Sequence, residues 1–368
     1  MVRLSDVAAR AGTSLSTVSI VLSDRPSLVR ISEKTRRAVL DAARDLGYTP
    51  NLAARRLRGG SAHLKSIILA IAYPLDSRLS LITRIVKGVQ DQLYLIHEEL
   101  ENLGVSVQLT IETFELGNLA RLRGLHEPFW FNGLVVTNTS LSDDAYVDTL
   151  MPSVPMVLFQ RESPHSFVNT DNVRVGQLAT EHLVDLGHRR IGLVYPAASA
   201  SRAQAHRIQG YRAALAQAGL IPGPEEPATG VNWAEDAYLA TERILDLPRD
   251  RQPTAIFATN DLLAIGAMRS IRDRGRLIPD DVALVGCDDA EFAAYQDPPL
   301  STVHLPLEEM AARATTILLD LIYQRVEPPV QCTFPSRLVI RGSTERKEVI
   351  ARSSLSGHYL PGCTGIQI

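Results

Sequence analysis

Residues 15–22, Leu15-Ser16-Thr17-Val18-Ser19-Ile20-Val21-Leu22, set three hydroxyls on a short helical stretch with no acidic residue. Small hydroxyl side chains on such a helix can contact base edges and phosphates in a DNA major groove. The plainer use of the same hydroxyls is helix capping. Further along, Tyr48-Thr49-Pro50-Asn51-Leu52-Ala53-Ala54-Arg55-Arg56-Leu57-Arg58 ends at Gly59-Gly60. Asn51 is placed to cap a short helix made cationic by Arg55, Arg56 and Arg58. Such a helix is too short to stand alone in water. It suits folding against DNA, with Leu57 as an apolar wedge in the minor groove; the bland alternative is an arginine-rich interdomain linker.

Catalytic constellations are not apparent. The sequence shows no G-x-G-x-x-G after its first strand, no Walker A motif, no G-x-S-x-G elbow and no H-E-x-x-H. His97-Glu98-Glu99 reads as a polar helix face, and His182 and His188 read as solvated or structural groups near a helix end. Neither an enzyme nor a cofactor is expected. Cys287, Cys332 and Cys363 are far apart, which argues against a zinc ribbon, a redox pair or a disulfide framework. The first residues lead into no long apolar run, and no stretch approaches the roughly 20 apolar residues that span a bilayer. A cytoplasmic protein without membrane contact is expected.

The elements that hold these groups follow from apolar spacing. Val7, Ala8 and Ala11 share a face of a helix over residues 5–11 that Gly12 stops. Ser14 can cap the second helix, whose Val18 and Leu22 turn toward the first. A third helix over 33–46 starts behind Ser32, buries Val39, Leu40, Ala43 and Leu46, and ends at Gly47. Two short helices joined through Gly12-Thr13-Ser14 match a helix-turn-helix. Charge points the same way. Residues 1–60 hold 11 Lys and Arg against 5 Asp and Glu, whereas the rest of the 368-residue chain holds 27 against 36. A basic head on an acidic body is expected where only the head meets a polyanion.

The length suits two or three domains, and 45% hydrophobic with 21% charged residues gives sizeable cores. From residue 64 apolar runs alternate with amphipathic segments. Strands are predicted at 67–73, 105–111, 133–137, 154–159, 191–195, 255–258 and 282–286. Helices are predicted at 81–103, 175–186, 207–218, 234–245, 262–274 and 307–323. This alternation implies two parallel sheets flanked by helices, with ligands beyond the carboxyl ends of the strands. The expected domains are a head over 1–49, a hinge helix and linker over 50–63, a body over 64–345 and a mobile tail over 346–368.

Leu4-Ser5-Asp6-Val7-Ala8, Ser16-Thr17-Val18-Ser19, Ser32-Glu33-Lys34-Thr35-Arg36 and Gly47-Tyr48-Thr49-Pro50-Asn51, followed by Ala53, Arg55 and Leu57, resemble the head of the LacI/GalR family in order and spacing. Most of residues 64–345 resembles that family's regulatory domain, notably in Asp171-Asn172, Leu186-Gly187-His188-Arg189-Arg190-Ile191, Arg207-Ile208-Gln209-Gly210-Tyr211, Gly286-Cys287-Asp288-Asp289 and Arg341-Gly342-Ser343-Thr344. The resemblance implies an all-α helix-turn-helix head with a hinge helix, joined to an α/β periplasmic-binding-protein-like (type I) two-lobed domain. Crossovers are expected near residues 163, 292 and 325. The first lobe would then hold about 64–163 and 292–325, and the second about 164–291 and 326–345.

What the resemblance implies for function is a homodimeric transcription repressor, released from near-palindromic double-stranded operator DNA by a small carbohydrate. Leu15, Ser16, Thr17, Ser19 and Ile20 would face the major groove. Ser5, Ser14 and Thr35 would meet phosphates, and Asn51, Ala54, Arg55 and Leu57 would serve the hinge helix. Arg207, Trp233, Asn260, Asp288, Gln160 and Tyr73 would contact the effector. Their chemistry suits a polyhydroxyl ligand: a guanidinium fork, an amide and a carboxylate for hydroxyls, and an indole for a sugar's C–H face. For each polar member, capping or buried pairing is the structural alternative. A purine- or phosphorylated-metabolite-responsive corepressor system is the rival within the family. A solute-binding receptor without DNA function is disfavoured by the basic head.

Several positions depart from the family pattern. Ile20 stands where many relatives carry Arg, and the loop over 23–31 is longer than the commoner form. Pro74-Leu75-Asp76-Ser77-Arg78 replaces the usual loop, Gln160-Arg161 replaces Asp-Arg, and the helix through 90–104 is extended.

Overall fold

The computed structural model describes residues 4–22, 31–46, 65–75, 77, 79–126, 130–197, 201–229 and 233–345. The expected hinge residues Asn51, Ala54, Arg55 and Leu57, most of the loop after α2 and the tail from residue 346 lie outside them.

Three helices build the head: α1 (Leu4–Ala11), α2 (Leu15–Val21) and α3 (Glu33–Asp45). Gly12 between the first two has φ +62°, a left-handed turn that glycine adopts without a Cβ penalty. Ser14 accepts from the Thr17 N–H at 3.1 Å, and Ser32 accepts from Thr35 N–H at the same distance. Each serine thereby satisfies an otherwise unpaired amide of the first helical turn. Val7 and Ala8, Val18, Val21 and Leu22, and Val39, Ala42 and Ala43 close a small common core. Ala42 takes the place expected of Leu40, which packs only at the rim. At 3.6 residues per turn, Ala42 and Ala43 both fall on the face opened by Val39, whereas Leu40 lies beside it.

The body begins with β1 (Lys65–Pro74), α4 (Leu79–Leu95), α5 (His97–Asn102), β2 (Val105–Phe114), α6 (Arg123–His126), β3 (Gly133–Thr137), α7 (Leu141–Thr149), β4 (Met156–Phe159) and β5 (Ser166–Thr170). It continues through α8 (Asn172–Asp185), β6 (Ile191–Pro196), α9 (Arg202–Gln217), β7 (Glu225–Ala228), α10 (Trp233–Leu245), β8 (Ala255–Ala258), α11 (Asp261–Asp273), β9 (Ala283–Asp288) and β10 (Ser301–His304). It ends with α12 (Leu307–Ile322), β11 (Gln331–Phe334) and β12 (Arg337–Val339). The strands form two six-stranded sheets, ordered β11-β5-β4-β3-β1-β2 and β12-β10-β9-β8-β6-β7. The β10–β12 pair is antiparallel and the other described pairs are parallel. The central strands β3, β4, β8 and β9 are buried along their whole length, as sheets covered on both faces require.

Sheet membership moves the expected crossovers. The first crossing is expected near 163, yet β5 pairs with β4 in the first sheet, so the chain leaves that lobe only after Thr170. Instead of crossing near 292, it stays with the second sheet through β10, and α12 then packs on the first. The last crossing falls between β11 and β12 rather than near 325. The helix expected over 81–103 is interrupted at Ile96, whose non-helical backbone redirects α5 so that Leu100 is buried in the main core.

Candidate functional sites in the head and the cleft

On α2, Leu15 is 48% exposed, Ser16 is exposed, and Ser19 and Ile20 are half-buried. These side chains stand apart from the buried pair Val18 and Val21 that fixes the helix to the head. The Thr17 hydroxyl lies 2.9 Å from that of Ser14, and the Thr35 hydroxyl lies 2.8 Å from that of Ser32. Both pairs belong to helix starts, so the capping use of these hydroxyls is realised. Ser5 is exposed near the start of α1.

In the body, the second lobe gathers most of its expected ligand contacts around Arg207 on α9. Arg207 is 2% exposed, donates from Nε to Asn172 Oδ1 at 3.0 Å, and donates to the Thr259 carbonyl at 2.7 Å. Its guanidinium also lies 3.6 Å from Asp288 Oδ1. Asn260 follows β8 and uses Oδ1 to accept from the Leu263 N–H at 2.9 Å, capping α11. Asn260 thus has the structural role and keeps its buried Nδ2 without a hydrogen-bond partner among the described residues. Trp233 opens α10 and packs at the edge of the second-lobe core. In the first lobe, Gln160 directly follows β4, and half-buried Tyr73 lies near the end of β1.

Backbone geometry marks the same places. Asn138, Gln160, Asp288 and Asp289 are non-glycine residues with φ of 57°, 61°, 125° and 55°, and all sit at strand carboxyl ends. Such conformations cost free energy and collect where a site requires them. Buried polar atoms without a hydrogen-bond partner collect there too: Thr137 Oγ1, Gln160 Nε2, Asn169 Oδ1 and Thr170 Oγ1 on the first sheet, and Thr259 Oγ1 and Asn260 Nδ2 on the second. Gln204 Oε1 on α9 is in the same condition. An unsatisfied buried polar group costs about 1–3 kcal/mol, so this concentration is what a hydrogen-bonding ligand site predicts. Thr137, Asn169, Thr170, Gln204 and Thr259 were not anticipated from sequence. The available signal for Thr137 and Thr259 was their position at or just after predicted strand ends; Gln204 lies on α9 and carried none.

Carboxylates behind Asp288 hold this corner in shape. Asp261 is fully buried, accepting from the Thr302 hydroxyl at 2.6 Å and the Ala290 N–H at 2.7 Å. Burial, reinforced by neighbouring Asp288, pushes its pKa up to about 7. Asp289 goes the other way. Burial opposes its charge, but hydrogen bonds from His304 and Arg341 prevail and hold it down at about 2. Arg84 on α4 grips both oxygens of Glu308 at 2.7 Å and donates to the carbonyls of Asp288 at 2.7 Å and Leu305 at 2.9 Å. A first-lobe helix thus holds the main chain of a second-lobe ligand candidate. No group of metal-binding side chains occurs among the described residues, and no helix among them is long and apolar enough to cross a membrane.

Known proteins share this arrangement. Residues 3–51 match bacterial regulatory proteins of the lacI family, and residues 180–344 match a periplasmic binding protein-like domain. The chain is 31% identical over 347 residues to the HTH-type transcriptional regulator CelR of Thermobifida fusca, spanning 92% of this chain and 97% of that one. It is 28% identical over 354 residues to the HTH-type transcriptional repressor PurR of Pasteurella multocida (strain Pm70), spanning 94% and 100%. A solved complex of the regulator CelR with cellobiose superposes with a TM-score of 0.64 at 28% identity, covering 93% of this chain and 100% of that one. The lac repressor dimer bound to operator and the anti-inducer ONPF gives 0.65 at 27% identity, covering 93% and 99%. Head, paired sheets and near-complete coverage agree, and the chain belongs to the lacI family of bacterial regulatory proteins.

Proposed function

We propose that this protein is a cytoplasmic, homodimeric transcription repressor whose cleft takes a small neutral carbohydrate and which then leaves its operator. It performs no catalysis. DNA binding rests on the capped helix-turn-helix, whose α2 presents Leu15, Ser16, Ser19 and Ile20 beside the core that anchors it. Asn51, Ala54, Arg55 and Leu57 carry the hinge and minor-groove roles that the family resemblance implies.

The observation that carries the effector class is the set of unpartnered amide and hydroxyl atoms at the strand ends. They offer hydrogen bonds to hydroxyl groups from both lobes, whereas Arg207 is already matched by Asp288, Asn172 and the Thr259 carbonyl. That balance favours a neutral polyhydroxyl ligand over a phosphorylated one, whose charge would need an uncommitted cation. The relative CelR, solved with cellobiose, supports the same class; the relative PurR supports the purine alternative. Thermal unfolding of the full chain with a panel of neutral mono- and disaccharides, purines and sugar phosphates decides between them. A ligand at 100 times its Kd stabilises by about 2.7 kcal/mol, so a neutral sugar is expected to raise Tm by several degrees. A rise with purines or sugar phosphates alone overturns the carbohydrate assignment.

A further inference from the structure

Beside the ligand candidates lies a second set of charges that neither DNA nor ligand binding uses. Asp144, on α7 of the first lobe, is 1% exposed. One of its oxygens accepts from Arg161 and, at 2.5 Å, from the Thr139 hydroxyl. Arg161 is itself buried and donates to Asp148 at 2.5 Å. Two carboxylates therefore share one guanidinium, and the cluster is short of positive charge. The other Asp144 oxygen is buried, accepts no hydrogen bond among the described residues, and lies 3.3 Å from Arg202 Nε. Arg202 belongs to the opposite lobe, as the first residue of α9.

Arg202 is poorly placed for its own helix. A cation in the first turn opposes the helix dipole, and the first turn of α9 has no acidic residue to offset it. Ser201 supplies the cap. The compensating carboxylate stands across the cleft. With the lobes together, Asp144 and Asp148 face Arg161 and Arg202, and the charges balance. With the lobes apart, Asp144 keeps a buried charge that Arg161 must share with Asp148, the costly outcome of breaking a buried pair.

We infer that Asp144 and Arg202 form an interlobe latch that holds the cleft closed before any ligand arrives. The latch joins α7 to α9, whereas Arg84 ties the lobes at the crossover side through Leu305 and Asp288. Opening the cleft requires breaking the Asp144–Arg202 pair, and a ligand that favours closure works with it. The inference is independent of the ligand's identity.

The test is an interlobe distance in the ligand-free full chain. Cys287, Cys332 and Cys363 are replaced by Ala, and spin labels are placed at Thr149→Cys on α7 and Gln209→Cys on α9, both exposed positions. Labelled chains are diluted with unlabelled ones so that each measured pair lies within one chain. Electron–electron double resonance is then recorded for the parent and for Arg202→Lys, Arg202→Gln and Arg202→Glu, with circular dichroism confirming that each is folded. The parent and Arg202→Lys are expected to share one short, narrow distance distribution. Arg202→Gln adds a longer component, and Arg202→Glu, which sets like charges together, moves the main population to it. Because Arg202 is partly exposed, Arg202→Gln carries the test if Arg202→Glu does not fold. Unchanged distributions in the substituted chains, or a parent already as open as they are, overturn the latch.

Discussion

Among the described carboxyl groups, Asp261 is the one whose surroundings most oppose its charge. It packs against Gly286, where a Cβ would come within 2.3 Å of its Oδ1, and it supports the main chain that presents Asp288. Its pKa of about 7 lies well above the ordinary carboxylate value, so folding favours the neutral form. The stability this contributes is full below about pH 4 and is lost as pH rises through 7. Asp289 has the opposite sign: its contribution is full above about pH 4 and is lost only as pH falls toward 2. Between pH 5 and 8 the large Asp261 effect is only partly offset by His182, whose pKa burial lowers and whose contribution therefore rises with pH. Wild-type Tm is expected to fall across that range, and Asp261→Asn, which retains hydrogen-bonding atoms without a titrating charge, is expected to flatten the decline. Parallel profiles would show that Asp261 is ionised throughout.

At the scale of elements, the cleft depends on helices packed backbone to backbone. A Cβ on Gly210 of α9 would lie 2.0 Å from the Val173 carbonyl of α8, and one on Gly176 would lie 2.0 Å from the Arg207 carbonyl. Gly266 of α11 meets Ala234 of α10 in the same way, at 2.0 Å. Gly210→Ala must separate α8 from α9 and shift Arg207, one turn earlier, away from Asn172. A loss of about 1–3 kcal/mol is expected, as for other overpacked contacts, read as a lower Tm together with weaker sugar binding. Unchanged Tm and binding would mean that the helices tolerate the methyl group.

These contacts also show what sequence made legible. Long apolar runs such as 133–137 and 255–258 identified central strands because both of their faces are buried. The strand β5 escaped notice because Ser166, Asn169 and Thr170 read as loop, although all are buried. Without that strand, the Asn169 and Thr170 side chains could not be placed at the cleft. Strand β7 contains Pro227, which an edge strand tolerates and a pattern search rejects. Arg207, Asn260 and Asp288 were visible through family motifs, but the charge match of Arg207 and the capping role of Asn260 depend on distances between elements remote in sequence. The Asp144–Arg202 pair joins different lobes and had no sequence signal.

For the whole molecule, the basic head and the acidic body divide the work. The head supplies α2 and its cationic surroundings, and the body supplies a two-lobed cleft whose proposed latch joins helices of both lobes. Family membership and a capped helix-turn-helix make operator binding the central claim. It is tested most directly by selecting duplexes from a random-sequence pool with the full chain, then titrating the best duplex against salt. Enrichment of a near-palindromic inverted repeat is expected, as a dimer of heads requires, with affinity falling about 10³-fold or more between roughly 50 and 200 mM salt. Failure to enrich any inverted repeat, or binding that salt leaves unchanged, would contradict it.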